Sequence, residues 1–277
     1  MIQIEDMTFA YGKSRHNIHT KLSLTLNENK IYGLLGKNGT GKSTLLYLIA
    51  GLLKPQVGSI KADGVKTIER RQETLEDFYI INEEFTLPPV KLSEWSTSLG
   101  GFYPKYDNET FRKCLNEFDI TGDPILTSLS MGQQKKVIIS FALATGVKHL
   151  LMDEPTNGLD IPSKAQFRKV VSSAMSDDRV IIISTHQVHD VEFLIDHIII
   201  IDNDRLLLNA SNEELTRKYT FDFRTPGAPD HDVIYQEPTL QGNATIAHRT
   251  QSNDKETNVN IELLFNPTFT FYSRFSC

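Results

Sequence analysis

The fold of this chain is decided by the stretch Gly36-Lys37-Asn38-Gly39-Thr40-Gly41-Lys42-Ser43. This stretch matches the pattern Gly-x-x-x-x-Gly-Lys-Ser, and it lies between a predicted strand at 31–35 and a predicted helix at 43–51. Glycines let the backbone turn so that successive N–H groups face one anion, and the positive end of the following helix adds to the attraction. In such a loop the lysine reaches the β- and γ-phosphates of a nucleotide, and the serine hydroxyl binds Mg²⁺. The predicted nucleotide site comprises Gly36, Asn38, Gly39, Thr40, Gly41, Lys42, Ser43 and Thr44.

Further along the chain, an apolar strand at 150–154 ends in two acidic residues, Asp153 and Glu154. Phosphate chemistry with Mg²⁺ needs a carboxylate beside the phosphate loop, and a buried strand would deliver Asp153 to that place. Glu154 can orient an attacking water or accept its proton, a role worth roughly 10²–10⁴ in rate. The alternative is an ordinary strand end that begins a solvated loop. The complete phosphate loop upstream favours the metal-binding interpretation.

Composition excludes several other classes of protein. The 277 residues carry 29 Lys and Arg against 35 Asp and Glu, a net charge of −6, which argues against nucleic-acid binding through the bulk surface. No apolar run approaches the about 18 residues that a membrane-spanning helix needs. The first residues have neither the basic nor the apolar part of a signal peptide. The two cysteines, Cys114 and Cys277, have no metal-site spacing, so we expect a protein of the reducing cytoplasm.

Short apolar runs alternate with helical patterns as far as about residue 215. Strands are predicted at 1–9, 22–26, 30–35, 59–61, 78–81, 148–152, 179–184 and 197–201. The segment 84–145 is predicted to be mostly helical, and further helices are predicted at 162–176 and 188–195. Continuously apolar strands that alternate with helices predict a parallel sheet with both faces covered. Beyond about residue 219, turn-forming and alternating residues predict a small β-rich appendage or a partly ordered tail.

Three further motifs give a family resemblance. They are Leu129-Ser130-Met131-Gly132-Gln133, then Asp153-Glu154-Pro155-Thr156-Asn157-Gly158-Leu159-Asp160, then Ser184-Thr185-His186. With the phosphate loop, their order and spacing resemble the nucleotide-binding domain of ATP-binding cassette (ABC) ATPases over about residues 1–210. Met131 departs from the family because the first glycine of its signature usually stands there. The resemblance implies an α/β fold with a P-loop NTPase (RecA-like), mostly parallel sheet core, an N-terminal antiparallel β subdomain and a helical subdomain.

The resemblance also implies roles for single residues. Tyr11 corresponds to the aromatic residue that stacks on adenine, although a structural tyrosine at a strand end is the alternative. Glu83 stands where the family usually has a glutamine that senses the γ-phosphate and Mg²⁺, and Asn82 is the alternative for that position. His186 would stabilise the charge on the γ-phosphate. Asp160 resembles the aspartate that crosses the subunit interface.

In the family, the signature contacts the nucleotide held by a facing subunit. Ser130, Gly132 and Gln133 are therefore expected to contact ATP across a homodimer. The expected cofactors are ATP and Mg²⁺, with Ser43, Asp153 and Glu83 around the metal and with Lys42, Glu154 and His186 as the catalytic residues. The domain prediction is a nucleotide-binding domain at 1–215, with its helical subdomain at about 84–145, followed by an appendage at 216–277.

A separate transmembrane permease is the expected partner, and no nucleic acid is expected. The stretch at 101–107 is similar to one in the ATPase subunits of bacterial ABC exporters, which predicts export from the inner face of the cell membrane. The alternative is a soluble ABC ATPase that acts on nucleic acid or ribosomes. A GTPase or kinase is disfavoured because Asn29-Lys30 precedes the phosphate loop and continues as Ile31-Tyr32. The transported substrate is not indicated by any motif.

Overall fold

The computed structural model describes residues 1–12, 16–202, 204–225, 227, 231–240, 242–250 and 257–268. The strands are β1 (Ile2–Phe9), β2 (His19–Leu26), β3 (Lys30–Leu35), β4 (Val57–Ala62), β5 (Val65–Lys66), β6 (Phe78–Ile81), β7 (His149–Asp153), β8 (Val180–Thr185), β9 (His197–Asp202), β10 (Arg205–Ser211), β11 (Tyr219–Arg224), β12 (Val233–Thr239) and β13 (Gly242–His248). The helices are α1 (Lys42–Ile49), α2 (Gln72–Glu76), α3 (Leu92–Gly100), α4 (Asn108–Glu117), α5 (Met131–Ala144), α6 (Ile161–Ser173), α7 (Asn212–Lys218) and α8 (Ile261–Thr268). Within these described residues, no helix combines the length and apolar character that crossing a bilayer requires.

The central sheet has the strand order β10-β9-β3-β8-β7-β6. Its pairs are parallel except for β10, which runs antiparallel to β9 at the edge. Every residue of β7 and β8 is buried, as expected for strands covered by helices on both faces. The predicted mostly parallel core is therefore confirmed. The carboxyl ends of β3, β7 and β8 meet at one edge of this sheet, because parallel neighbours end on the same side.

A second sheet, with the order β2-β1-β4-β5, is antiparallel. Buried and exposed residues alternate along β2, which is the pattern of a sheet with one face toward a core. That face packs with α1, and Leu24, Ile60 and Leu45 belong to one apolar cluster. The predicted N-terminal antiparallel β subdomain is confirmed.

The helical segment contains α3, α4 and α5, and it packs around Phe141. Its ring lies 4.8 Å from the Trp95 ring and 5.3 Å from the Tyr106 ring, measured between centroids. Asp107 begins α4 by accepting hydrogen bonds from the N–H groups of Glu109 and Thr110, an N-cap that satisfies otherwise unpaired donors. This segment corresponds to the predicted helical subdomain.

The predicted helix at 188–195 is wrong. A 3-10 turn, Val188–Asp190, stands there, and the next turn is closed by a hydrogen bond from the Leu194 N–H to the Val191 carbonyl. Val188, Val191 and Leu194 are all buried. A spacing of three residues fits successive three-residue turns as well as it fits an α-helix, because a 3-10 helix has three residues per turn.

The C-terminal part contains a separate antiparallel sheet with the order β11-β13-β12. Phe221 and Ile246 pair across it, and both are buried in the same apolar cluster as Ile195 and Leu263. The predicted β-rich appendage is confirmed and packs on the core of the preceding domain. The boundary at 215/216 stays a prediction, and the last part of the predicted appendage, 269–277, lies outside the described residues.

Candidate functional site

The phosphate loop connects the end of β3 to the start of α1. Gly39 and Gly41 have φ of 82° and 94°, a left-handed conformation that glycine adopts without steric cost. Gly36 is required for space, since a Cβ there would lie 2.5 Å from Thr40 Oγ1 and 2.7 Å from the Ile201 carbonyl oxygen. The loop conformation is therefore unstrained with glycine at these three positions.

Lys42 is directed into this loop and is only 6% exposed. Its Nζ donates to the carbonyl oxygens of Gly36 and Lys37 at 2.9 and 3.2 Å, and it lies 3.8 Å from the Glu154 carboxylate. Burial lowers the pKa of Lys42, while Glu154 and nearby carboxylates act in the opposite direction. The ammonium is thus placed between the loop that would hold phosphates and the acidic strand end.

His19 supports the loop from β2, and sequence reasoning missed it. Its Nε2–H donates to the Gly41 carbonyl at 3.1 Å, and its side chain is 1% exposed. Burial lowers the pKa of His19, so the ring is held neutral with its proton on Nε2. No local pattern indicates this contact, because the two residues are 22 positions apart.

Two neighbouring strand ends hold the acidic pair. Asp153 on β7 is in register with Ser184 on β8, and the Ser184 hydroxyl donates to the Asp153 carboxylate. The Thr185 hydroxyl donates to Oε2 of Glu154 at 3.0 Å. Ser184 and Thr185 directly precede the predicted histidine in the chain, but no role was predicted for them. Their hydroxyl groups fix the orientation of both carboxylates.

Glu154 is also held by His186. Oε1 of Glu154 accepts the His186 backbone N–H at 3.0 Å and the ring Nδ1–H at 2.7 Å. Glu154 is 4% exposed, and its φ of 45° lies in the left-handed region, which costs about 1–2 kcal/mol for a residue with a Cβ. Strain of this kind concentrates at functional sites. Glu154 and His186, two of the three residues predicted to act in catalysis, are therefore brought together.

Glu83 and Tyr11 line a cavity that also contains Lys42, Asp153 and Glu154, and that we call the first cavity. Oε1 of Glu83 accepts a hydrogen bond from Asn157 Nδ2 at 2.9 Å. Glu83 lines the cavity and Asn82 is not among its described lining residues, so the geometry favours Glu83 for the position that the sequence left open. The Tyr11 hydroxyl hydrogen-bonds with Thr44 Oγ1 at 3.1 Å, and Tyr11 is 48% exposed, which leaves ring surface for a flat base.

The first cavity has a volume of about 340 Å³. Its described lining residues are Tyr11, Ile18, Asn38, Gly39, Gly41, Lys42, Ser43, Thr44, Glu83, Asp153, Glu154 and His186. The cavity brings Tyr11, Glu83 and most of the predicted phosphate-loop residues together with Asp153, Glu154 and His186, and Ile18 is an addition. Gly36 and Thr40 do not line this cavity: the Gly36 carbonyl accepts from Lys42 Nζ, and the Thr40 hydroxyl donates to the Lys37 carbonyl at 2.9 Å.

The signature residues lie elsewhere. Ser130, Gly132, Gln133 and Asp160 line a second cavity, of about 420 Å³, that has no described lining residue in common with the first. Ser130 begins α5 with a capping box: its Oγ accepts the Gln133 N–H at 3.3 Å, and its own N–H donates to Gln133 Oε1 at 2.9 Å. Asp160 begins α6 by accepting the Ser163 N–H at 2.9 Å. Within one chain, the signature residues and the phosphate loop therefore line separate cavities.

The donors of the first cavity fit Mg²⁺. Among the described residues, no group of three or more His, Cys, Asp or Glu side chains could hold a metal ion alone. Mg²⁺ is usually held by one or two carboxylates together with waters and substrate phosphates. Ser43 and Asp153, with Glu83 beside them, supply hydroxyl and carboxylate oxygens of the kind that this ion prefers.

Comparisons with known proteins agree with the fold and with the motifs. A family model described as ABC transporter matches residues 19–157. The ABC transporter ATP-binding protein NatA of Bacillus subtilis (strain 168) is 30% identical over 229 residues, which are 80% of this chain and 90% of that protein. The lantibiotic transport ATP-binding protein SrtF of Streptococcus pyogenes is 30% identical over 219 residues, which are 75% of this chain and 90% of that protein.

Solved structures show the same fold. A dimeric ATP-binding cassette in a post-hydrolysis state, bound to ADP and Pi, superposes with a TM-score of 0.65. The match has 24% sequence identity and covers 76% of this chain and 98% of that chain. At this identity the likeness concerns the fold alone.

Proposed function

The chain belongs to the ABC transporter family, as an ATP-binding subunit that hydrolyses ATP, and on that premise we propose that it powers export through a separate permease by closing and opening as a homodimer. The observation that carries this proposal is the separation of the two cavities. Lys42 and Glu154 line one of them, while Ser130 lines the other. A nucleotide site that needs both sets of residues requires a second copy of the chain.

The first cavity supplies the groups that act on the nucleotide. Backbone N–H groups of the phosphate loop and the Lys42 ammonium bind the phosphates, and Tyr11 contacts the adenine. Glu154 orients the attacking water and accepts its proton. His186 donates from Nδ1 to Glu154, and in its doubly protonated form it would also donate from Nε2 to the γ-phosphate, where a positioned donor stabilises developing charge. Ser43 and Asp153, with Glu83 nearby, would hold Mg²⁺, and the bound ion would supply positive charge against the phosphates.

The second cavity supplies groups to the nucleotide of the facing subunit. Ser130 Oγ accepts a hydrogen bond from within α5, and its own O–H can donate to a phosphate oxygen. The N-terminal end of α5 adds positive potential at the same place. A two-fold dimer places each signature over the other copy's phosphate loop and encloses two ATP molecules. Loss of the γ-phosphate removes the link between the copies, as in other switches held by that group.

The proposed route of coupling to the permease is the helical segment. Phe102, in the stretch that is similar to exporter ATPases, is 71% exposed. An exposed aromatic side chain of this kind is suited to a partner surface. A relative whose name states lantibiotic transport supports a role in transport. The proposed location is the inner face of the cell membrane, where the chain binds peripherally to the permease.

The dimer is tested with Glu154→Gln, which removes the general base and keeps the shape of the side chain. We expect this variant to bind ATP, to lose turnover, and to double its mass on ATP addition in size-exclusion chromatography with light scattering. Lys42→Ala is the control and should stay monomeric because it loses phosphate contacts. A Glu154→Gln variant that turns over ATP near the wild-type rate, or wild-type turnover per chain that is unchanged by dilution into a fully monomeric range, would contradict the proposal.

The transport partner is tested in native cells. We expect the tagged chain to sediment with membranes and, after detergent extraction, to remain bound to one polytopic membrane protein. Purification with ribosomes or nucleic acid would instead support the soluble alternative.

A further inference from the structure

The segment 153–160 joins the two cavities. Asp153 and Glu154 line the first cavity, and Gly158, Leu159 and Asp160 line the second. The segment consists of tight turns: the Asn157 N–H donates to the Glu154 carbonyl at 3.2 Å, and the Leu159 N–H donates to the Thr156 carbonyl at 3.1 Å. A side chain that binds the backbone of residues 154–157 therefore influences the position of the Glu154 carboxylate.

The buried side chain of one lysine is hydrogen-bonded to this part of the backbone. Lys135, in the second turn of α5, is 4% exposed. Its Nζ donates to the carbonyl oxygens of Glu154 and Asn157 at 3.2 and 3.1 Å. A charged donor to two carbonyl oxygens in a buried place makes stronger hydrogen bonds than a neutral donor does. The lysine thus clamps both ends of the turn that contains the strained Glu154.

The same ammonium contacts a third segment. It lies 6.0 Å from the centre of the Phe85 ring, within the range of a cation–π interaction, and Phe85 follows Glu83 closely in the chain. Burial lowers the pKa of Lys135, and the nearby carboxylates of Glu83, Glu154 and Asp153 act in the opposite direction. Lys135 is therefore placed among the acidic groups of the first cavity, although it does not belong to the described lining of that cavity.

The neighbouring lysine shows that this placement is specific. Lys136 is directed to the other side of α5, where its Nζ donates to the Phe118 carbonyl and to Gln166 Oε1, each at 3.4 Å. α5 also approaches the segment closely at its start, since a Cβ on Gly132 would lie 3.2 Å from the Gly158 carbonyl oxygen. The helix that carries the signature and the segment that carries Glu154 are thus in contact at two points.

We propose that Lys135 is a positioning residue for ATP hydrolysis, which ties the turn at 154–157 to the signature helix and so holds Glu154 in its reactive orientation. The proposal rests on the proposed catalytic role of Glu154. The clamp also gives a direct mechanical connection between the two cavities. A movement of α5 against a facing subunit would be transmitted to the Glu154 carboxylate of the same chain.

The test compares Lys135→Met, Lys135→Arg and the wild-type chain. We expect Lys135→Met to lower kcat about 10- to 100-fold, because small displacements of a reacting group have effects of that size. The affinity for ATP should change by less than about twofold, because only the reactive geometry is lost and not ground-state binding. Arginine can also donate to two carbonyl oxygens, so Lys135→Arg should keep most of the wild-type kcat.

Arg179 provides a matched control. It is also a buried cation that donates to two backbone carbonyls, those of Val147 and Ala174, at 2.9 and 2.6 Å. It precedes β8 at the edge of the sheet opposite His186. We expect Arg179→Met to lower the thermal midpoint as much as Lys135→Met does, and to keep the wild-type kcat when assayed well below that midpoint.

Hydrogen exchange gives a readout that does not depend on turnover. Amide exchange at 154–157 should be faster in Lys135→Met, while exchange at 36–43 stays at the wild-type rate. Should Lys135→Met fail to fold, Lys135→Gln replaces it, because its shorter neutral side chain removes the charge and cannot reach both carbonyls. The expected results for that variant are the same.

Three results would overturn the proposal: a wild-type kcat in the neutral variant, an equal loss of kcat in Arg179→Met, or Lys135→Arg as slow as Lys135→Met. Failure of this inference is distinct from failure of the proposed function. If Glu154→Gln is active, the role of Glu154 is wrong. If Glu154→Gln is inactive and the neutral Lys135 variant is normal, only the clamp is wrong.

Discussion

Nδ1 of His186 lies 2.7 Å from Oε1 of Glu154, although the two residues are 32 positions apart in the chain. The contact joins the ends of β7 and β8, two strands that are parallel neighbours. The same carboxylate oxygen accepts the His186 backbone N–H, and the other oxygen accepts the Thr185 hydroxyl. The residue proposed as the general base and the residue proposed to contact the γ-phosphate thus form one hydrogen-bonded unit.

A double-mutant cycle tests whether Glu154 and His186 depend on each other in ATP hydrolysis. We expect Glu154→Gln and His186→Gln each to lower kcat by roughly 10²–10⁴. The double variant should be no slower than the slower single variant, because residues that act as a unit have non-additive effects. Phosphate release under saturating ATP measures all four rates. Losses that multiply in the double variant would show that the two side chains act independently.

The variant Lys42→Ala should bind ATP more weakly, in addition to any effect on the turnover of bound ATP. The ammonium donates within the phosphate loop and would contact the phosphates, and hydrogen bonds from charged groups are worth about 1.5–3 kcal/mol, or roughly 10- to 100-fold in affinity. Titration with a fluorescent ATP analogue measures the effect. Lys61→Ala, which removes an exposed ion pair to Glu5, is the control and should bind normally. Equal affinities for the two variants would contradict the assignment of Lys42.

The variant Glu83→Gln should show separately how the Glu83 charge affects ATP binding and how it affects Mg²⁺ binding. Glutamine keeps an oxygen that can accept the hydrogen bond from the Asn157 side-chain amide, Nδ2–H, but it removes one negative charge from the cavity. We expect ATP to bind about 2- to 10-fold more tightly in EDTA, as for one Coulomb interaction of about 1 kcal/mol. The Mg²⁺ concentration for half-maximal hydrolysis should rise. The exposed neighbour Glu84 provides the control variant Glu84→Gln, and unchanged values for Glu83→Gln in both assays would remove Glu83 from the site.

His19 should make the folded chain less stable at acidic pH. Burial holds the pKa of His19 below its ordinary value of 6.5, so the unfolded chain binds a proton that the folded chain does not. The contribution to stability is therefore present above pH 6.5 and is lost as the pH falls toward the lowered value, by at most about 1.4 kcal/mol per pH unit. Urea unfolding at pH 7.5 and 5.5 should show a smaller loss for His19→Gln than for the wild type. Equal losses would mean that His19 is not held neutral beside Gly41.

Much of the site could be predicted because its motifs are local. The phosphate loop, the pair Asp153 and Glu154, and the signature are each contiguous, and each depends on backbone geometry that a few neighbouring residues specify. The parallel core could be predicted for the same reason, since continuously apolar strands require cover on both faces. The wrong helix at 188–195 shows the limit of this reasoning, because a spacing of three buried residues is common to two kinds of helix.

The family resemblance, the order of the motifs and the residue types available for phosphate and metal binding can all be recognised in the amino-acid sequence. Which of these residues meet is visible only in the folded chain: His186 with Glu154, His19 with Gly41, Lys135 with the turn at 154–157, and Glu83 rather than Asn82 with the cavity. The fold also places Ser130 and Lys42 in separate cavities. The physical reason is that these contacts depend on which strands are neighbours, on their register and on how α5 packs against the turn. Pairings between residues 19 to 74 positions apart leave no periodic pattern in the chain.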